Sequence, residues 1–170
     1  MARSEKSFSV LRVEEALLKA GYKGKVKELD QTARSAKDAA ASLNVNLGAI
    51  VKTLVFCFKQ KECEKPAIAL ISGDQICDVG ELQNEMTIEG KHLRIGAEEV
   101  KKITGYTIGG VSPVGLSPEI PIAIDKALFR FEEVWCAAGN QFFVFPISPQ
   151  NLVLLTNGVV SSKIGISIDR

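Results

Sequence analysis

The chain has 170 residues, 46% of them hydrophobic and 24% charged, with a formal net charge of +1. That length is expected to build one domain, residues 1–170, with a sizeable core, and the balance is that of a globular protein rather than a disordered one. Near-neutral charge argues against a sequence-blind DNA binder, and no apolar run approaches the roughly 20 residues that cross a bilayer.

The first stretch, Met1 to Ser9, is polar and lacks an apolar signal-peptide segment, so a cytoplasmic location and no membrane partner are expected. Residues 1–37 hold nine Lys/Arg against five Asp/Glu, a surplus of +4 that leaves −3 for the remainder. Such a basic lobe is either a solvated face or a surface that meets phosphates. Ser9 reads as an N-cap ahead of a helical stripe, Val10, Val13 and Leu17, that stops at Gly21. Lys25 to Leu29 reads as a short strand, and Asp30 to Arg34 as a polar connection. Ser35 with Asp38 forms a capping-box pattern that opens an alanine-rich helix ending near Asn44.

Ile50 to Phe58 is the clearest strand. Alternation puts Val51, Thr53, Val55 and Cys57 on one face, and Lys52, Leu54, Phe56 and Phe58 on the other. Both faces are mainly apolar, which predicts a central, buried strand. Lys52 then starts an apolar face as a cation, which either snorkels to water or sits at a cavity mouth awaiting an anion. Lys59 to Lys65 reads as a charged hairpin loop and Pro66 to Ile71 as the returning strand. Asp78 and Glu81 cap a short helix ending near Met86. His92 to Ile95 reads as a strand, with His92 packed at the surface, and Ala97 to Ile103 as a helix.

That helix runs into Thr104-Gly105-Tyr106-Thr107-Ile108-Gly109-Gly110-Val111-Ser112-Pro113-Val114-Gly115. Gly109-Gly110 is a turn pair, and Pro113 biases Ser112 towards an extended backbone. Such a loop either is an ordinary surface turn or brings bare backbone N–H groups to a ligand. Ile120 to Ile124 is a strand interrupted by Pro121, which implies an edge position or a strand start. Asp125 ends it, and either caps the next turn or faces a pocket. Val134 to Ala138 and Gln141 to Phe145 form a hairpin turning at Gly139-Asn140. Ser148-Pro149 opens a last helix, Asn157-Gly158 stops it, and a weak strand pattern follows from Val159. The pattern predicts an α+β fold: a largely antiparallel or mixed, barrel-like β-sheet with surrounding short helices.

The residues narrow the chemistry. A single histidine and no nucleophile elbow speak against a Ser-His-Asp hydrolase. Cys57, Cys63, Cys77 and Cys136 include no C-x-x-C pair, so reduced thiols rather than a zinc site are expected. No H-E-x-x-H and no P-loop order occur. A lysine on a rigid strand, a loop of backbone donors and an aspartate remain, a set that holds an anionic substrate and polarises a carbonyl.

Ile50 to Phe56, Thr104 to Gly115, Ile122-Ala123-Ile124-Asp125 and Ala138-Gly139 together resemble the YbaK family of aminoacyl-tRNA editing domains, in order from about Val10 to about Ile164. The resemblance implies a free-standing deacylase that hydrolyses the ester of a mischarged amino acid, often on proline tRNA, with no metal or cofactor. Its partners would be the mischarged aminoacyl-tRNA and an aminoacyl-tRNA synthetase, with no DNA. It implies catalytic roles for Lys52, Gly109 and Asp125. It implies substrate contacts at Thr32, Ser35, Thr53, Tyr106, Gly110, Val111, Ser112, Pro113, Ala137 and Gly139. Family members specific for cysteine usually carry a serine where this chain has Ala137, so cysteine specificity does not follow.

Overall fold

The computed structural model describes residues 6–169. Arg3 and Glu5 of the basic segment, and the first five residues of the polar N-terminus, lie outside the described residues. The stripe Val10, Val13 and Leu17 forms the buried face of helix α1 (Phe8–Lys19). Its N-cap is Ser7 rather than Ser9, because Phe8 starts the helix on the solvent side, where it adds nothing to the stripe. Gly21 ends the helix at φ +74°. Strand β1 is only Lys27–Glu28, since pairing with a neighbour is limited to those two residues. Helix α2 (Ala36–Leu43) carries the Ser35–Asp38 capping box in both directions.

Strands β2 (Val51–Gln60) and β3 (Cys63–Ser72) form a long antiparallel ribbon. The segment Lys59 to Lys65 is mostly strand rather than loop. Lys59 stands opposite Glu64, an opposite-charge pair that suits a projecting ribbon, and only Lys61-Glu62 make the turn. Next come β4 (Gln75–Cys77), α3 (Val79–Met86), β5 (Lys91–Leu93) and α4 (Ala97–Thr104). They are followed by β6 (Ile122–Asp125), β7 (Val134–Ala137), β8 (Phe143–Ile147), α5 (Pro149–Thr156), β9 (Val159–Ser161) and β10 (Gly165–Ser167). Ser148 caps α5, its hydroxyl accepting from the Asn151 N–H, and Pro149 opens the helix.

The fold is mixed α+β, with a five-stranded sheet ordered β5-β2-β3-β6-β9, a three-stranded sheet β1-β8-β7 and a β10-β4 pair. Among the described residues no closed barrel forms, because β5 and β9 end the larger sheet. Strand β6 is internal and parallel to both β3 and β9, so Pro121 marks a strand start rather than an edge. It stands just before the ladder, and its carbonyl accepts from the Ile68 N–H.

The β2–β3 ribbon divides the core by alternation. Val51, Ile68 and Leu70 pack towards α1, α5 and the β7–β8 hairpin. Phe58, Ala67, Ala69 and Ile71 pack towards Leu82 of α3 and Ile164. Full burial of each large side chain is worth about 1.5–3 kcal/mol, which fixes the register, because a one-residue slip would exchange the faces. His92 is exposed, its ring centroid 5.6 Å from those of Phe56 and Phe58.

Strand β2 is flanked on both sides over only part of its length. Strand β5 covers it from Cys57 to Lys59, and one isolated parallel bridge joins Ile50 to Trp135. Between these, among the described residues, the outer edge of β2 has no strand partner.

Candidate functional site

A cavity of about 460 Å³ opens along that unpaired edge, within the range of roughly 300–1,000 Å³ typical of small-molecule sites. Successive residues from Ile50 to Val55 line it, so the cavity meets β2 edge-on. Trp135, Ala137, Phe143 and Val144 of the smaller sheet form the facing wall. Ile108, Gly109 and Val111 of the glycine loop close another side, and Arg34, Ser35, Ala36 and Ala39 contribute from the start of α2. The lining is mostly apolar. Among the described residues its charged members are Lys52 and Arg34, and none is a carboxylate.

Lys52 is half-buried, and its ammonium donates to the Gln75 carbonyl on β4. Burial lowers its pKa, and the carboxylates of Asp74 and Asp125 work against that shift. Asp74 is itself anchored: Arg130 Nη2 donates to its Oδ1 at 2.7 Å and to Ser72 Oγ at 2.9 Å. The Arg130 hydrogen bond holds the Asp74 carboxyl below its usual pKa. Thr53 lies next to Lys52 and also lines the cavity, and its Oγ1 is buried with no hydrogen-bond partner. An unsatisfied buried hydroxyl costs about 1–3 kcal/mol.

The glycine loop presents three residues, Ile108, Gly109 and Val111, to the cavity and builds the rest from behind. Gly109 has φ +91° and open space where a Cβ would stand. The N–H groups of Gly109 and Val111 find no acceptor among the described residues. Gly110 is held in place: its N–H donates to the Thr107 carbonyl at 3.0 Å and its own carbonyl accepts from the Gly139 N–H at 3.1 Å. A Cβ on Gly110 would fall 2.5 Å from Asn140 Cα, and one on Gly139, at φ +100°, would fall 2.6 Å from the Ser9 backbone. These two glycines therefore clamp the loop to the β7–β8 turn and to α1. Tyr106 is fully buried; its hydroxyl donates to the Val114 carbonyl at 2.7 Å and its ring lies 4.6 Å from the Arg12 guanidinium carbon. Ser112 and Pro113 are buried behind the loop as well, and Ser112 Oγ accepts from the Val114 N–H.

Among the sequence-predicted site residues, Lys52, Thr53, Ser35, Gly109, Val111 and Ala137 line the same cavity. Thr32, Tyr106, Gly110, Ser112, Pro113 and Gly139 are not in its lining. Neither is Asp125, which is 3% exposed. Its Oδ2 accepts from the Ser72 N–H at 3.2 Å and its Oδ1 from the Ala127 N–H at 2.9 Å, capping the 3-10 turn Lys126–Arg130. Of the two roles open to Asp125, capping is the one its oxygens take.

Sequence reasoning missed Arg34, Trp135, Asn140 and Val144 as lining residues. Trp135 carried a usable signal: it alternates outward from the buried Val134 and Cys136, an unusual place for a large ring. Among the described residues no His, Cys, Asp or Glu cluster is arranged to hold a metal, and no helix is long and apolar enough to cross a membrane.

Comparison with known proteins identifies the family. The sequence profile of the aminoacyl-tRNA editing domain matches residues 30–155. An Enterococcus faecalis protein named "Putative Cys-tRNA(Pro)/Cys-tRNA(Cys) deacylase EbsC" is 29% identical over 127 residues, covering 73% of each chain. A proline–tRNA ligase from Bacillus cytotoxicus is 25% identical over 111 residues, 65% of this chain but 19% of that enzyme. The crystal structure of "a putative trans-editing enzyme for prolyl tRNA synthetase" superposes with a TM-score of 0.82 at 35% identity, covering 92% of this chain and 97% of that one. The chain thus belongs to the YbaK-type aminoacyl-tRNA editing domain family.

Proposed function

We propose that this chain is a trans-acting editing deacylase that hydrolyses the ester of a mischarged amino acid on proline tRNA. One observation carries the reading: a single, mostly apolar cavity is lined by Lys52, by Thr53 and by two loop residues, Gly109 and Val111, whose backbone N–H groups are unengaged, and among the described residues its lining includes no carboxylate. The aminoacyl side chain occupies the apolar part of the cavity. Water attacks the ester carbonyl carbon, the oxyanion collects hydrogen bonds from Gly109 and Val111, and Lys52 exchanges the Gln75 carbonyl for a substrate oxygen. The ribose oxygen departs with a proton, giving free amino acid and uncharged tRNA. An aminoacyl ester is already activated, so orientation and oxyanion stabilisation supply the acceleration without a protein nucleophile. Asp125, buried, and Asp74, partly buried, enter as countercharges that oppose the lowering of the Lys52 pKa by burial. The names of the similar proteins support proline tRNA as the substrate class.

The test is a panel of mischarged tRNAs incubated with the protein, read as loss of the ester bond. Release from at least one proline tRNA is expected. No release from any of them at ample protein overturns the reading. Tight binding without turnover would assign the alternative role of a non-catalytic tRNA-end or synthetase-binding module.

A further inference from the structure

We infer that Lys27 and Arg34 form the docking rail for the single-stranded 3′ end of the tRNA, taking its terminal phosphodiesters at the mouth of the cavity. The inference rests on the editing reading of the cavity and adds a surface to it. Lys27 stands opposite Val144 in the β1–β8 ladder, and Val144 stands opposite Ala137 in the β8–β7 ladder. Directly opposed residues share a sheet face. Val144 and Ala137 line the cavity, so Lys27 projects from the cavity side of the smaller sheet. Its ammonium lies 5.7 Å from the centroid of the Trp135 ring, another lining residue. Arg34 lines the cavity itself, from the connection into α2.

Both cations are exposed, and among the described residues neither has a carboxylate within salt-bridge distance. Elsewhere in the basic segment Lys6, just ahead of α1, and Lys19, at its end, are paired with Glu14 and Glu15, whereas Lys23, Lys25 and Lys37 have no salt bridge among the described residues; Lys27 and Arg34 differ from these three in standing at the cavity. The unneutralised charge of this segment therefore includes the rim of the cavity. An ester at the end of a single strand that enters over this rim brings its preceding phosphates to Lys27 and Arg34. Two unpaired cations there neutralise phosphates, and the Trp135 face offers a base-stacking surface beside them.

The test uses the whole protein, uncharged proline tRNA, and the same tRNA trimmed of its 3′ single strand. Affinity is measured against salt for the wild type, for Lys27→Gln/Arg34→Gln, and for the charge control Lys61→Gln/Lys65→Gln on the distant β2–β3 ribbon. Each single-strand phosphate contact contributes about 0.7 to the slope of log affinity on log salt, so the rail variant is expected to lose about 1.4 and the control nothing. Trimming should weaken the wild type more than the rail variant, as expected for a coupled pair of deletions. An unchanged slope, an equal loss in the control, an equal trimming effect in both proteins, or no binding by the wild type would each overturn the proposal. Hydrolysis of mischarged tRNA with an unchanged slope sinks the rail alone. Rail-dependent binding without hydrolysis sinks the editing reading alone.

Discussion

Lys52 shows how a single residue carries more than its position reveals. Alternation assigned it to the face of Leu54 and Phe56, yet the cavity meets the strand from the edge, and both faces contribute. Lys52→Ala is expected to reduce deacylation by about 10²–10³, the value of one donor to a developing oxyanion, while leaving the unfolding midpoint within a few degrees. Lys52→Arg restores the charge but not the point geometry of an ammonium, and is expected to recover only a small part of the rate. Single-turnover hydrolysis of a mischarged tRNA measures both. A near-normal rate for Lys52→Ala would relocate the chemistry. Asp125 separates from Lys52 in the opposite sense. Asp125→Ala strands the Ser72 and Ala127 N–H groups in the interior and is expected to cost about 2–5 kcal/mol in urea unfolding. An unfolding free energy equal to the wild type would show that its capping role is dispensable.

At the scale of elements, periodicity and capping chemistry located most helices and strands, because these signals are local. The stripe on α1, the Ser35–Asp38 box of α2 and the Ser148-Pro149 start of α5 all appear where their residues direct. Partnership between elements was less legible. Nothing local in Ile122 to Asp125 says that its neighbours run parallel, or that Pro121 lies just outside the ladder. The cavity was half legible: the lysine strand and the glycine loop announced themselves, whereas Trp135 joined it through a bridge that pairs positions 85 residues apart (50 and 135), and Arg34 from the connection into α2. The clamp between the glycine loop, the β7–β8 turn and α1 is testable. Gly139→Ala puts a Cβ 2.6 Å from the Ser9 backbone at φ +100°, so a loss of at least about 1–3 kcal/mol is expected in urea unfolding. Gly96→Ala, where nothing lies within 4 Å and φ is negative, should leave stability within about 1 kcal/mol.

For the whole molecule, the charge network beneath Lys52 links stability to acidity. Arg130 holds the Asp74 pKa below its unfolded value of 3.8. A carboxylate depressed in the folded state stabilises fully above its unfolded pKa, and that contribution is lost as pH falls through the folded value. Asp74→Asn is therefore expected to lower stability by about 1 kcal/mol near neutrality, and to lose less than the wild type on acidification below about pH 4. Denaturant midpoints across pH check both signs; parallel curves for the two proteins would discount the network.

The unpaired edge of β2 has a consequence for behaviour at high concentration. A strand border with free N–H and C=O groups is ordinarily a template on which further molecules stack into aggregates. Here it lies at the floor of a recess walled by Trp135 and Phe143, so a flat strand from another copy cannot come alongside. The same walls that admit a slender acyl chain keep the protein from polymerising through this border.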